Sequence, residues 1–387
     1  MLRSLFSGIS GLRAHQQMMD VTGNNISNVN TTGYKSSQTV FQDTLSQMVN
    51  AAGAPQNDSG GTNPAQVGLG VRLASINANF GQGAAQTTGK SSDMMIQGDG
   101  FFVVKSGGES LYTRAGSFTF DANGSLTTPT GQIVQGWSGE DGVVNTAGAP
   151  GDIKLPIGIS LAPEVTTDIT LTGNFSYEAE VGDIKEIPIK VIDENGAAKT
   201  MVVTFTKDGP DAWSMTLPDG LGTDTVTFTN GKPDAETMVL GDYTFDIRDL
   251  TNFSGNTEAR VSNSNGSTAG VLSSYTVSNT GQIVGVFSNG LKQTLGQVAL
   301  ANFNNVNGLE KIGDSMFRST VNSGLAQVGA AGSGGLGLIT SGALEMSNVD
   351  LAQEFTNLVI AQRGFQANSR IITTSDEILQ ELVNLKR

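Results

Sequence analysis

The chain has 387 residues, no cysteine and one histidine, and its 36 acidic and 22 basic residues give a net charge of −14. These counts exclude disulfides, thiolate nucleophiles, cysteine-ligated metal centres and multi-histidine sites. Glycine accounts for 50 of the 387 residues, nearly twice the usual share of about 7%, and charged residues account for only 15%. These shares predict a turn-rich, weakly charged chain. No apolar run of about 18 residues is present, as a membrane-spanning helix would need.

The first predicted element is an amphipathic helix that starts at the second residue and continues to Ile26. Apolar side chains recur every three or four residues along it, which is the spacing of one helical face. Arg13 and His15 interrupt any signal-like apolar core, so we expect no cleaved signal peptide. The residues that we assign to assembly on this helix are Leu2, Leu5, Phe6, Ile9, Leu12 and Met19.

Short strands and tight turns follow. Residues 101–104, 111–113 and 117–120 have strand patterns, and Asn123 and Gly124 predict a hairpin turn. A similar run returns over residues 275–303, so the two runs together predict one β domain. Between them, Ile184–Ile192 and residues 199–206 flank Asn195 and Gly196, the clearest hairpin signal in the sequence.

The acidity is concentrated between these two runs. Residues 141–275 contain 20 acidic and eight basic side chains, a net charge of −12, which leaves −2 for the rest of the chain. A like-charged surface of this kind repels nucleic acid and anionic lipid. Strand patterns throughout the segment predict an acidic, all-β inserted domain.

The last predicted element is a helix over residues 348–386, roughly 55–60 Å long at 1.5 Å per residue. Ser347 is the predicted N-cap and Asp350 the capping-box acid. The residues that we assign to assembly on this helix are Leu351, Phe355, Leu358, Phe365, Ile372, Leu379 and Leu382.

The expected fold is α+β and multidomain, with nested insertions. Terminal helices (1–34 and 346–387) form a coiled coil, a connector covers 35–72, and two mainly antiparallel β domains cover 73–140 with 275–345 and the inserted 141–274. Isolated helices are marginal without a partner surface, so we expect the two ends to pair with each other and with other copies. The predicted subunit is layered, with helices inward and the acidic domain outward.

No constellation of residues supports an enzyme. The segment from Gly83 to Ser91 resembles a phosphate loop, but five residues separate its glycines where four are required. Asp193 and Glu194 resemble a glycosidase carboxylate pair, yet they precede Asn195 and Gly196 and therefore belong to a turn. We expect no catalytic residues, no metal and no cofactor.

Ordered motifs occur at residues 98–104, 112–118 and 121–126 in the first β run, at 347–351 and 361–369 in the last helix, and directly after the first helix. Together they resemble the motifs of the axial proteins of the bacterial flagellum. The resemblance is closest to the hook proteins, because rod proteins of this family usually lack a large insertion such as 141–274. The motif after the first helix comprises Asn24, Asn25, Asn28, Thr31, Gly33, Tyr34 and Lys35.

The resemblance implies a structural subunit that polymerises into a curved tube, a universal joint carrying torque from the motor and rod to the filament. It implies an extracellular location in the flagellum, without insertion into a membrane. The implied partners are other copies of the chain, the distal rod protein, the hook cap protein, the hook–filament junction protein, the hook-length control protein and the flagellar type III export apparatus.

Two alternatives remain at this stage. One is a distal rod subunit of the flagellar basal body. The other is a secreted acidic β-domain adhesin, which would need an exposed aromatic platform on the insert. Trp213, Tyr243 and Phe245 are candidates for that platform and are equally suited to a core.

Overall fold

The computed structural model describes residues 2–54, 60–140, 142–155 and 160–385, apart from the side chains of Leu2, Glu140, Asp219 and Leu382. The chain divides into two compact units. The first contains Met1–Leu155, Thr276–Val284 and Thr294–Arg387, and the second contains Pro156–Tyr275 and Gly285–Gln293. The expected α+β fold with a nested insertion is confirmed. The second unit begins at Pro156, later than the predicted position 141, and includes a further short segment, Gly285–Gln293.

Two α-helices lie at the two ends of the chain, α1 (Leu2–Ser27) and α2 (Leu351–Asn384). The 34 residues of α2 give a length of about 51 Å at 1.5 Å per residue, shorter than predicted. The predicted N-cap is wrong: Asp350 caps α2 by accepting hydrogen bonds from the backbone N–H groups of Ala352 and Gln353. Among the described residues, no helix is both long and apolar enough to cross a bilayer.

The strands fall into three groups along the chain. Those before the insertion are β1 (Ser37–Asp43), β2 (Ser46–Asn50), β3 (Ala65–Gly68), β4 (Val71–Ala78), β5 (Ala85–Thr87), β6 (Met94–Gln97), β7 (Phe101–Ser106), β8 (Glu109–Thr113), β9 (Thr119–Phe120), β10 (Leu126–Thr127), β11 (Ile133–Glu140), β12 (Val143–Val144) and β13 (Gly151–Asp152). The insertion contains β14 (Ser160–Leu161), β15 (Asp168–Ser176), β16 (Ile184–Ile192), β17 (Ala198–Gly209), β18 (Ala212–Thr216), β19 (Thr223–Thr229), β20 (Lys232–Pro233), β21 (Thr237–Leu240), β22 (Tyr243–Phe253) and β23 (Arg260–Ser264). The remaining strands are β24 (Gly270–Val277), β25 (Gln282–Phe287), β26 (Lys292–Asn302), β27 (Glu310–Gly313), β28 (Met316–Arg318), β29 (Gln327–Ala330), β30 (Leu338–Ser341) and β31 (Ala343–Glu345).

The first unit is built on an antiparallel sheet in the order β26-β11-β7-β8-β28-β27. Its core contains a cluster of aromatic rings, and Phe101 lies within 6.1 Å, centroid to centroid, of Phe80, Phe303 and Phe317. The predicted turn at Asn123 and Gly124 joins β9 to β10. The segment 35–72, predicted as a connector, forms strands: β1 pairs with β4 and β2 with β3, each pair antiparallel.

The second unit packs two sheets around one core. The four-stranded sheet has the order β21-β22-β15-β23, with β15 and β22 parallel, and the five-stranded sheet has the antiparallel order β16-β17-β18-β19-β20. The predicted hairpin is formed by β16 and β17. Alternating side chains from both sheets fill the core, including Phe175, Phe205, Trp213 and Phe245. This alternation is what a half-buried strand requires.

Candidate assembly site

The helices α1 and α2 pack antiparallel along one seam. Gly8 lies against Ile372, Gly11 against Asn368, and Gly364 against the ring of His15. Each step forward along α1 is therefore matched by an equal step back along α2. An ideal Cβ on Gly364 would lie 2.4 Å from Nε2 of His15, so a larger residue at position 364 would require the His15 ring to move.

The seam leaves large apolar side chains facing away from it. Six of the residues predicted for assembly are half-buried: Leu5, Leu12, Met19, Leu358, Ile372 and Leu379. Five are exposed: Phe6, Ile9, Leu351, Phe355 and Phe365. The side chains of the remaining two, Leu2 and Leu382, lie outside the described residues. Sequence patterning missed three further exposed apolar positions on α2, namely Val359, Ile360 and Ile371. Ile378, Val383 and Leu385, which follow the apolar spacing of the helix, are exposed as well. We call the exposed apolar residues of α1 and α2 together the outer stripe.

The motif after α1 ties the helix pair to the neighbouring backbone through Asn25. The buried Asn25 amide donates 2.9 Å to the carboxylate of Glu354 on α2 and 2.8 Å to the carbonyl of Ser37. Its oxygen accepts from the Ser37 N–H and the Tyr34 hydroxyl. Every polar group of this side chain is thus satisfied by three chain segments, which fixes how the chain leaves α1.

Asn28 and Gly33 form the turn itself. The Asn28 amide donates to the carbonyl and side-chain oxygens of Asn24, and its own oxygen accepts from the Thr31 hydroxyl. Gly33 has φ +67°, and an ideal Cβ there would lie 2.4 Å from the backbone nitrogen of Ala115. A side chain at position 33 would meet both the left-handed backbone penalty and this close approach.

Lys35 ends the motif in a buried ion centre that we call the Glu345 centre. Its Nζ lies 2.6 Å from Oε1 of Glu345, and both side chains are fully buried. The Glu345 carboxylate also accepts from the Gly83 N–H at 2.9 Å and contacts Nη1 of Arg114 at 3.5 Å. Lys35 further donates to the carbonyl of Gly81. The centre therefore joins the end of α1, the β sheet and the approach to α2.

Burial dominates the electrostatics of this centre. It lowers the pKa of Lys35, and the hydrogen bond and charge of Glu345 oppose that shift. Lys35 and Arg114 share the one carboxylate of Glu345. Nε of Arg114 has no hydrogen-bond partner. The Arg114 guanidinium lies 5.3 Å from the centroid of the Phe101 ring. The carboxylate of Glu345 is therefore the group on which the burial of both cations depends.

The segments that resembled other functional sites make structural contacts. The segment suspected as a phosphate loop instead contains β5, which pairs with β31, and the Gly83 N–H is taken by Glu345. No cluster of three or more potential metal ligands occurs among the described residues. On the insert, Trp213 and Phe245 lie in the core and Tyr243 packs against it, so these three form no exposed aromatic platform.

Three family models match separate parts of the chain. They are described as flagella basal body rod protein (residues 5–35), flagellar hook protein FlgE/F/G D1 domain (95–179) and flagellar basal body rod FlgEFG protein C-terminal (340–385). The chain is 39% identical to the flagellar hook protein FlgE of Borreliella burgdorferi, with all of both chains covered. The chain belongs to the flagellar hook protein family. The resemblance drawn from the sequence motifs is thereby confirmed.

Two further relatives place this hook family member among the axial proteins. The flagellar basal-body rod protein FlgG of Bacillus subtilis is 33% identical, again with all of both chains covered. The crystal structure of Helicobacter pylori flagellar hook protein FlgE2 matches with a TM-score of 0.53 at 14% identity, covering 67% of this chain and 100% of that one. The latter is a likeness of fold.

Proposed function

We propose that the chain is a structural subunit that polymerises into the tubular flagellar hook and has no enzymatic activity. Membership of the hook family supports the role. The outer stripe is the observation that supports this mode of assembly. The two helices contact each other through small residues, which leaves large apolar side chains of both helices exposed. Many exposed large apolar side chains on one helix pair are typical of a protein–protein interface.

Burial of the outer stripe would supply the driving force for polymerisation. Phe355, Val359 and Ile360 are each more than half exposed, and full burial of such a side chain contributes roughly 1.5–3 kcal/mol. Several such residues per subunit offset the loss of freedom on association, which is estimated at about 4–15 kcal/mol. The occupant that we propose is the corresponding helix pair of neighbouring copies.

A flexible joint needs many weak contacts that can be exchanged. Only 15% of the residues are charged, and buried ion pairs between subunits would favour one fixed arrangement. We propose that subunits slide on such weakly charged surfaces as the hook bends. Export to the cell exterior and contacts with the rod, cap, junction and length-control proteins and with the export apparatus belong to the same proposal.

The outer stripe is tested by placing a charge on it. We expect the double variant Phe355→Asp, Val359→Asp to form no tubes in electron micrographs, because burial of an unpaired carboxylate is costly. Thr374→Asp, an exposed position on the same helix flanked by the charged residues Arg370 and Glu377, is the matched control and should assemble. Circular dichroism of the unassembled chains checks that the helices persist in all variants. Tubes of normal length and stability from the double variant would contradict the proposal.

A rod subunit is the second candidate, and the full-length match to the Bacillus subtilis rod protein is what favours it. The two candidates predict different polymers in the cell. A hook subunit is expected in a curved, bendable tube next to the filament, whereas a rod subunit is expected in a straight, stiff one within the basal body. Antibody labelling of isolated basal bodies, viewed by electron microscopy, distinguishes them.

A further inference from the structure

One face of the second unit differs from the rest of its surface. In the five-stranded sheet, β17, β18 and β19 alternate between side chains in the core and side chains on the outer face. The outward, paired positions of these strands are Thr200, Val202, Thr204, Thr206, Ala212, Ser214, Thr216, Thr223, Thr225, Thr227 and Thr229. We call this set the threonine face. It contains no charged residue.

The strand register arranges these side chains in rows. Thr204 lies opposite Thr216, which in turn lies opposite Thr223. The neighbouring row runs from Thr206 through Ser214 to Thr225. Because paired strands lie about 4.8 Å apart, the face is a regular array of hydroxyl and methyl groups.

The absence of charge is unusual for this unit, which has 18 acidic and eight basic residues. The other sheet shows the contrast on its own outer face. There the central strand β22 carries Asp246 and Arg248, paired at 2.6 Å, followed by Asp249. On the outer side of the five-stranded sheet, charged side chains lie at the margin of the threonine face, at Glu186, Lys190, Asp208, Lys232 and Asp234. Asp224 of β19 is also exposed, but it pairs with Met215 and so belongs to the alternate, core-side set of positions.

Threonine is favoured on exposed strands in general, because its branched side chain suits a pleated surface. That preference explains single threonines on the face. It does not explain why acidic residues, which occur all around the unit, are missing from the outward, paired positions of three adjacent strands. A requirement for an uncharged surface at these positions accounts for both features.

We propose that the threonine face is the surface through which the second unit contacts a second copy of this chain in the polymer. Two acidic units brought together repel each other wherever their carboxylates meet. Contact through an uncharged face avoids this repulsion, and hydroxyl groups can exchange hydrogen-bond partners as the surfaces move. The inference rests on the proposed function, since it names the partner of the inserted unit within that polymer.

The lack of native cysteine allows a direct test by thiol labelling. The test variant is Thr225→Cys on the threonine face, and the matched control is Thr237→Cys on β21, an exposed, outward position of the other sheet. Each is labelled with a maleimide, once as the unassembled chain and once in hooks isolated from cells. We expect Thr225→Cys to react about tenfold more slowly or less in hooks than in the unassembled chain, because a covered site reacts only when it opens. Thr237→Cys should react at similar rates in both.

Three results would overturn the inference. Equal labelling of Thr225→Cys in hooks and in the unassembled chain would show that no copy covers the face. Slow labelling already in the unassembled chain would show that the chain covers its own face. Equal protection of Thr237→Cys would show that the threonine face is not selected. If neither variant nor the unchanged chain forms tubes, the proposed function fails instead, which electron microscopy detects separately.

Discussion

Replacing Glu345 with glutamine is the sharpest test of the Glu345 centre. Glu345→Gln keeps the size of the side chain but leaves Lys35 without a counter-charge and Arg114 with only the weaker attraction of Asp99. Both partners of the ion pair Lys35–Glu345 are fully buried, so solvent screens little of the loss. Removing one partner of such a pair typically costs about 3–5 kcal/mol, and we expect a loss of that size in the free energy of unfolding of the first unit.

The two tryptophans allow that unit to be followed separately. Trp137 lies in the core of the first unit and Trp213 in the core of the second. In a Trp213→Phe background, fluorescence during urea unfolding therefore reports on the first unit alone. A shift of the midpoint with an unchanged dependence on urea concentration measures the change in stability.

An exposed ion pair provides the control. Glu109 lies 2.6 Å from Arg318, but both side chains are about half exposed. Glu109→Gln is expected to cost less than about 1 kcal/mol, as surface pairs do. If Glu345→Gln costs no more than Glu109→Gln, the Glu345 centre does not hold the first unit together and the reasoning from its geometry is refuted.

Three further predictions concern the helices and the turn after α1. Gly23→Ala, with open space around it, should stabilise α1 by about 0.5–1 kcal/mol. Gly364→Ala should be less favourable than Gly23→Ala by about 1–3 kcal/mol, because the added methyl group displaces the ring of His15 from the seam. Helical circular dichroism during thermal melting measures both. Asp350→Ala should cost about 1 kcal/mol in the same assay through loss of the N-cap of α2. Burial mainly, and the charge of Glu354 to a smaller extent, raise the pKa of the Tyr34 hydroxyl above its usual value of 10.0. Because the unfolded chain loses the hydroxyl proton at a lower pH than the folded chain, the free energy of unfolding should fall as the pH rises above about 10. Tyr34→Phe should weaken that alkaline loss in urea unfolding, and an unchanged pH dependence would contradict it.

The helices and hairpins could be predicted because their signals are local. Apolar spacing located α1 to within two residues, and the turn residues Asn195 and Gly196 located the hairpin of β16 and β17. The N-cap of α2 was misplaced because two capping-type residues lie close together. Asn348, between them, is held by the carbonyls of Asn79 and Gly81, and the helix begins only after Asp350.

The ion centre could not be predicted because its parts are far apart in sequence. Lys35 and Glu345 are separated by 310 positions, and nothing near either residue marks the other as its partner. Arg114 was part of the recognised motif at residues 112–118, but its contact with Glu345 depends on the register of a β sheet, which local sequence patterns do not determine. Local patterns determine which elements form, whereas the pairing of buried charges depends on how those elements pack.

The distribution of strong and weak interactions indicates where a polymer of hook subunits can bend. The motif at the end of α1 buries Asn25 and Lys35, which bind several chain segments through hydrogen bonds. Such contacts are costly to break, so the helix pair is held firmly to its own first unit. The surfaces that we propose for contact with other copies are instead apolar or uncharged, and contacts between them can be exchanged in small steps. Bending of the polymer is therefore expected to take place between subunits, while the helix pair and the first unit of each subunit remain joined.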